Sequence, residues 1–261
     1  MDNFPHIQKH GQEIDRAFLF SALQSKNVVL LETARTNDQN KKNLLFLHPK
    51  EILVAASLKE IPSIFEKIEY HLARGKYIAG YFSYECGYHF ENIIEFTQDT
   101  SSRPLIWLGV FDQPIEVSHE VLQSINAEEK FNVTKATLEI SKDEYEEKLK
   151  AIHQYILNGD TYQVNFTDRI TFDFTGNIIN FYCSLREKQH VSYSALIRTE
   201  FGDILSFSPE LFFKRDGKFF ITKPMKGTSK RGRTSDEDRQ LSQWLHLDEK
   251  NRSENLMIVD L

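Results

Sequence analysis

The residues best suited to chemistry lie between Ser208 and Lys230, in the stretch SPELFFKRDGKFFITKPMKGTSK. Glu210 stands directly before Leu211, Phe212 and Phe213. A carboxyl in apolar surroundings loses solvation in its charged form, so its pKa rises and it becomes a candidate general acid. A solvated glutamate after a turn proline is the competing reading of the same residue. Lys226 shares its stretch with Lys223, Lys230, Arg231 and Arg233, and no carboxylate follows before Asp236. Neighbouring like charges disfavour an ammonium ion, which is one route to a nucleophilic amine. The same cluster makes a positive field suited to a small, multiply anionic ligand. Gly227 allows close backbone approach, and Thr228 offers a hydroxyl and an amide to a carboxylate. One more exposed loop lysine is the alternative for Lys226.

A hairpin must present these groups. Phe212 and Phe213 precede Asp216-Gly217, and Phe219, Phe220 and Ile221 follow. Asp-Gly between aromatic-rich runs predicts a tight turn, because both central residues of a type I′ turn need φ > 0. Pro224 then ends ladder pairing.

Further elements support this one. Val28 to Glu32 reads as a strand, as do Leu44 to His48, Leu196 to Arg198, and Tyr77 to Tyr84, where Gly80 suggests close backbone approach. Ile64, Ile68 and Leu72 give Ile61 to Leu72 a helical period. Ser141 with Glu144 is a capping-box pattern, Tyr145, Leu149, Ile152 and Ile156 form a stripe, and Gly159 closes that helix. After it, Tyr162, Val164 and Phe166 alternate with Gln163, Asn165 and Thr167. That pattern predicts a strand whose polar face is either a site wall or solvated. Residues 1 to about 20 are polar and suggest no element.

The chain has 261 residues, 40% hydrophobic and 27% charged, as befits a globular protein with ample length for a core. Twenty Phe and ten Tyr favour extensive sheet. A net charge of −6 argues against a general nucleic-acid binder. No start of the signal-peptide kind and no membrane-length apolar run occur, so the expected location is the cytoplasm, with no nucleic-acid or membrane partner. Cys86 and Cys183 lack metal-ligand spacing and read as idle thiols. Tyr84 and Glu85 before Cys86 also do not supply the tight glycine elbow of a glutamine-cleaving cysteine, so the chain has no means of its own to release ammonia from glutamine. Polar residues 113 to 135 suggest a boundary, giving segments 1–135 and 136–261. The apolar run Leu256 to Leu261 stops without a cap, which reads as a piece of a longer protein, expected to be catalytically silent or very weak alone.

Four blocks carry a family resemblance: Ser208-Pro209-Glu210-Leu211, Pro224-Met225-Lys226-Gly227-Thr228, Gly159-Asp160-Thr161-Tyr162-Gln163-Val164-Asn165, and Asp248 to Leu261. In this order and spacing they resemble the chorismate-binding enzymes, in particular the branch of aminodeoxychorismate synthase component I. The resemblance implies an α+β fold, two large antiparallel sheets packed as a sandwich with helices outside, of which only the N-terminal part is present. It implies amination of chorismate to 4-amino-4-deoxychorismate on the way to 4-aminobenzoate and folate, with ammonia from a glutamine amidotransferase partner.

The same resemblance assigns residues. Glu210 becomes the proton donor and Lys226 the nucleophile at C2, with Gly227, Thr228 and Gln163 binding substrate. Relatives that add water to chorismate have a lysine base at the position of Gln163, so glutamine points to ammonia. Anthranilate synthases, the nearest alternative, usually have alanine in place of Lys226. Glu254 becomes a ligand of Mg2+. Residues 1–135 resemble the N-terminal segment of anthranilate synthase component I, where Leu-Leu-Glu-Thr-Ala would contribute to a tryptophan pocket. Thr33 stands there for the usual serine, joined by Ser192, Tyr193 and Ser194; a plain strand end is the other reading. From a different class, the basic loop could belong to a non-catalytic anion-binding module.

Overall fold

A computed structural model describes residues 14–35, 42–91, 103–125 and 130–259. In chain order these form α1 (Arg16–Gln24), β1 (Val28–Glu32), β2 (Asn43–Phe46), β3 (Glu51–Ala55), α2 (Ile61–Leu72), β4 (Tyr77–Phe82), β5 (Ile106–Phe111), β6 (Ile115–Val117) and α3 (His119–Ser124). There follow β7 (Phe131–Leu138), α4 (Lys142–Asn158), β8 (Ile170–Gly176), α5 (Ile178–Lys188), β9 (Tyr193–Thr199), β10 (Gly202–Ser208), β11 (Lys214–Asp216), β12 (Phe219–Ile221), α6 (Ser235–Leu247) and α7 (Glu249–Val259).

Two compact units result: residues 1–124 with 186–261, and residues 125–185. Packing therefore does not follow the sequence boundary at 135. In the first unit β1 pairs with β9, Leu30 opposite Leu196, so strands from both sequence segments share one sheet. That sheet is antiparallel with order β10-β9-β1-β2-β6, and a second sheet has order β3-β5-β4. Val29, Phe46 and Ile197 of the first meet Ala79, Trp107 and Phe111 of the second in one buried cluster. On the far face of the second sheet, Leu53, Ile106 and Leu108 pack with Ile61 and Ile64 of α2. The α+β class with packed antiparallel sheets and outer helices is thus what the chain forms.

Sequence explains this layering. All six residues of β5, Ile-Trp-Leu-Gly-Val-Phe, are buried, as suits a central strand covered on both faces. Each large side chain so buried contributes about 1.5–3 kcal/mol. Gly80 has the close approach its type suggested, since a Cβ there would lie 2.1 Å from the Trp107 carbonyl oxygen. On β9, Arg198 is buried and donates from Nη1 to the Leu23 carbonyl (2.6 Å) and from Nε to Asp203 (3.1 Å), tying α1 to the sheet.

The second unit pairs β7 with β8 and carries α4. Ser141 and Glu144 form the expected capping box, and Gly159 ends the helix in the left-handed region at φ 81°. No residue of α4 is buried, and Tyr145, Leu149 and Ile156 of its stripe are each about 40% exposed. The strand expected at Tyr162 to Thr167 does not form. Those residues have no regular structure and pair with no strand.

Three further expectations need correction. Residues 16–24 are helical, with the Asp15 carboxylate accepting from the Phe18 N–H at 2.7 Å. The second strand covers Asn43–Phe46 and stops before His48, whose φ of 55° breaks the extended run. The Phe-rich hairpin turns at Gly217-Lys218, one residue later than expected, since Asp216 pairs with Phe219. Gly217 has φ 58° and Lys218 does not have positive φ, so glycine sits at the first central position as in a type II′ turn.

Candidate active site in the first unit

Beyond β12 the chain runs without regular structure to Thr234, and this loop carries Lys226, Gly227 and Thr228. Glu210 reaches it: the Met225 N–H donates to Oε1 of Glu210 at 3.2 Å. Glu210 itself sits in a local turn, its N–H donating to Ser208 Oγ (3.2 Å) and its carbonyl accepting from that hydroxyl (3.0 Å). A cavity of about 300 Å3 is lined by Ser192, Tyr193, Pro209, Glu210, Leu211, Lys223, Pro224 and Met225. The candidate acid and the three residues before Lys226 therefore share one depression, while Lys226 and Gly227 are not among its lining residues. A roomier cavity, about 410 Å3, lies at the start of β1 between Phe18, Asn27 and His48, and no candidate residue lines it. Of the two, the smaller is the one lined by a candidate residue of the basic loop and hairpin, Glu210, together with Lys223.

Glu210 is exposed, which corrects the expectation of apolar surroundings. Phe212 is 89% exposed and Phe213 52%, so residues adjacent in sequence do not enclose it. Lys226 and Gly227 are half-buried, and Thr228 is exposed.

The field of the basic loop is also weaker than its composition suggested. Thr234 caps α6, and the acidic first turn of that helix folds back on the loop. Arg231 donates to both carboxylate oxygens of Asp238 (2.8 and 2.7 Å), the Gly232 N–H adds a bond at 2.9 Å, and the Arg233 N–H donates to Glu237 (2.7 Å). The Gly232 amide, with Arg231 beside it, holds the Asp238 carboxyl below the usual carboxylate range. Arg231 is consequently neutralised in place.

The tryptophan-pocket candidates gather at the other end of β1. Glu32 lies opposite Ser194 in the sheet, and the Arg35 N–H donates to the Val191 carbonyl (2.9 Å). Ser192 Oγ donates to the Arg35 carbonyl (3.3 Å). Thr33 is buried, its N–H donating to Asn43 Oδ1 (2.9 Å) and its hydroxyl to the Lys42 carbonyl (3.2 Å). Ser194 is buried, and its hydroxyl has no hydrogen-bond partner among the described residues. Sequence reasoning missed two supports here. Asn43 bridges Thr33 to the Val117 carbonyl, and buried Arg186 lies 3.6 Å from buried Glu32. Asn43 gave no signal, while an arginine in the last turn of an apolar helix could have suggested the ion pair.

Gln163 belongs to the other compact unit and is exposed, its carbonyl accepting from Thr161 Oγ1 at 3.0 Å. Glu254 on α7 is half-buried, with Lys250 Nζ 4.0 Å away. Magnesium takes one or two carboxylates and fills its shell with water and substrate oxygens. Glu254 offers one carboxylate, and among the described residues no group of three or more His, Cys, Asp or Glu could hold an ion. Cys86 is buried in a short 3-10 turn, and burial pushes its thiol pKa up, as suits an idle cysteine. No helix among the described residues is long and apolar enough to cross a membrane.

A family model described as chorismate binding enzyme matches residues 17–261. Aminodeoxychorismate synthase component 1 of Escherichia coli (strain K12) is 31% identical over 202 residues, covering 70% of this chain and 45% of that protein. Anthranilate synthase component 1 of Aquifex aeolicus is 37% identical over 121 residues, 46% of this chain and 24% of that protein. The chain spans about half the length, or less, of these curated relatives. In fold it is similar to a crystal structure from Bacillus anthracis assigned as a 2,3-dihydroxybenzoate-specific isochorismate synthase. That likeness has a TM-score of 0.61 at 16% identity, over 92% of this chain and 60% of the other. With its packed antiparallel sheets and the blocks around Glu210, Lys226 and Glu254, the chain belongs to the chorismate-binding enzymes.

Proposed function

We propose that the protein aminates chorismate to 4-amino-4-deoxychorismate, with Lys226 as nucleophile and Glu210 as proton donor. The observation that carries this reading is the hydrogen bond that Glu210 accepts from the amide of Met225, the residue before Lys226. The lysine amine forms a bond to C2 of the ring, the double bonds shift, and the C4 hydroxyl leaves as water with a proton from Glu210. Ammonia then attacks C4, the double bonds return, and the C2–N bond breaks to release the lysine. The proton shed by the new ammonium group restores Glu210, so the net change is chorismate plus ammonia to amine plus water.

Gly227 and Thr228 offer backbone and hydroxyl groups to a substrate carboxylate, and Gln163, which cannot serve as a base for water, favours ammonia. Glu254 would hold Mg2+, which when bound offsets the charge of a carboxylate. We assign the ammonia supply to a glutamine amidotransferase partner, the site of action to the cytoplasm, and Thr33, Ser192, Tyr193 and Ser194 to a bound tryptophan. The product would feed 4-aminobenzoate and folate synthesis.

The test gives chorismate, ammonium and Mg2+ to the protein at the length of its relatives and to Lys226→Ala, with products identified by mass spectrometry. The 4-amino product should be lost in the variant, and Glu210→Gln should lower its rate by roughly 10²–10⁴-fold. Anthranilate, or a 4-amino product indifferent to Lys226, overturns the reading.

A further inference from the structure

The residue after Lys226 has little freedom. Gly227 is in the left-handed region at φ 79°, and a Cβ built on it would lie 2.7 Å from Asn251 Oδ1 and 3.0 Å from Asn251 Cβ and Cγ. The Asn251 side chain thus sits hard against the Gly227 backbone, in space only glycine leaves open. Asn251 is itself held. Its side-chain Nδ2 donates to Asp248 Oδ2 at 2.7 Å, and its backbone N–H donates to the same oxygen at 2.9 Å. Asp248 links α6 to α7, capping the first turn of α7 with its carboxylate while its carbonyl accepts from the Arg252 N–H (3.0 Å).

We propose that Asp248 and Asn251 are positioning residues for Lys226, acting through the contact of Asn251 with Gly227. This rests on the reading of Lys226 as the nucleophile. With both bonds to Asp248 formed, the carboxamide cannot swing away, and the left-handed turn that follows Lys226 has one seat. An amine that must reach one ring carbon gains from such a seat, since a misplacement of about 1 Å can cost on the order of 100-fold in rate. The same device reaches Glu254. Residues three apart on a helix share a face, so the face of α7 that touches the Gly227 turn also carries Glu254. One short helix start then sets the nucleophile turn and the candidate metal carboxylate in a fixed relation.

The test uses Asn251→Asp, Asp248→Asn and the double exchange in the full protein. Asn251→Asp sets two carboxylates against each other and removes the Nδ2 donor. The double exchange restores one donor and one carboxylate to the pair, reversed in direction. Two readouts are taken: kcat and KM for the 4-amino product, and the acylation rate of Lys226 relative to Lys223 and Lys230, by peptide mass spectrometry. We expect Asn251→Asp to lower kcat by roughly 10–100-fold, with KM for chorismate and Tm nearly unchanged. The relative labelling of Lys226 should shift at least threefold, and the double exchange should recover most of both effects. Labelling and kcat unmoved in Asn251→Asp, or a loss that appears as lowered Tm and is not recovered by the exchange, would overturn the proposal. The labelling ratio needs no turnover, so it separates the two readings. A shifted ratio beside a fully active Lys226→Ala would leave the contact but sink its catalytic meaning. An unshifted ratio beside an inactive Lys226→Ala would sink the positioning alone.

Discussion

From Ile106 to Phe111 every side chain is buried, whereas from Glu210 to Val259 not one is. The first stretch is fixed by apolar contact on two faces, with Trp107 and Phe111 in one cluster and Ile106 and Leu108 in the other. The second is held by separate polar contacts: Glu210 with Met225, Asp238 with Arg231, Asp248 with Asn251, and Thr234 capping α6. A net hydrogen bond contributes about 0.5–1.5 kcal/mol, and many such bonds near water open separately. The candidate residues Glu210, Lys226, Gly227, Thr228 and Glu254 thus sit in the part of the first unit where geometry is set one contact at a time. Stability and site geometry should then respond to different mutations.

The largest effect belongs to the sheets. Trp107→Ala empties a fully buried site and should cost about 3–5 kcal/mol by denaturant unfolding. A loss below about 1 kcal/mol, the typical size for an ordinary substitution, would break the contrast. Next is the buried pair at the edge of the same region. Arg186→Met removes the buried cation 3.6 Å from Glu32 and the donor to the Leu122 carbonyl, at a cost of about 3 kcal/mol.

A smaller effect follows pH. Burial tends to raise the Asp203 carboxyl, but Arg198 and Lys26 outweigh it and hold the pKa below the ordinary value. A depressed folded pKa stabilises above the unfolded value of about 3.9 and stops doing so as pH falls through the folded value. Unfolding stability should therefore decline from about pH 5 downward, and Asp203→Asn should flatten that slope. At the other extreme, Phe219→Ser on the exposed hairpin should change stability by no more than about 0.5 kcal/mol. A drop of 2 kcal/mol there would show that the hairpin is packed in solution, and the contrast would fail from its other side.

Legibility in the sequence divides along the same line. Val28 to Glu32 and Ile61 to Leu72 have the bounds their patterns suggested, because packing and pattern agree there. The capping box at Ser141 and the glycine at 159 depend only on neighbouring residues, so they too were readable. Tyr162 to Thr167 failed because alternation supplies a face but not a partner strand. The apolar surroundings expected of Glu210 failed differently: the phenylalanines beside it in sequence are themselves exposed and do not enclose it. Asp238, beyond the basic cluster, folds back to pair with Arg231, which composition along the chain does not foresee. Asp248-x-x-Asn251 is a local capping pattern and was available to be read.

The arrangement of β1 has a consequence for synthesis on the ribosome. This strand lies between β2 and β9, and buried Arg198 binds the Leu23 carbonyl across 175 residues of chain. At the usual 5–20 residues per second, roughly 9–35 s separate the emergence of β1 from that of its second partner. For that interval one edge of an almost wholly apolar strand is open to any other nascent or unfolded chain. The protein should accordingly depend on chaperones more during translation than its finished core would suggest, and faster elongation through residues 125–185 should lessen that dependence.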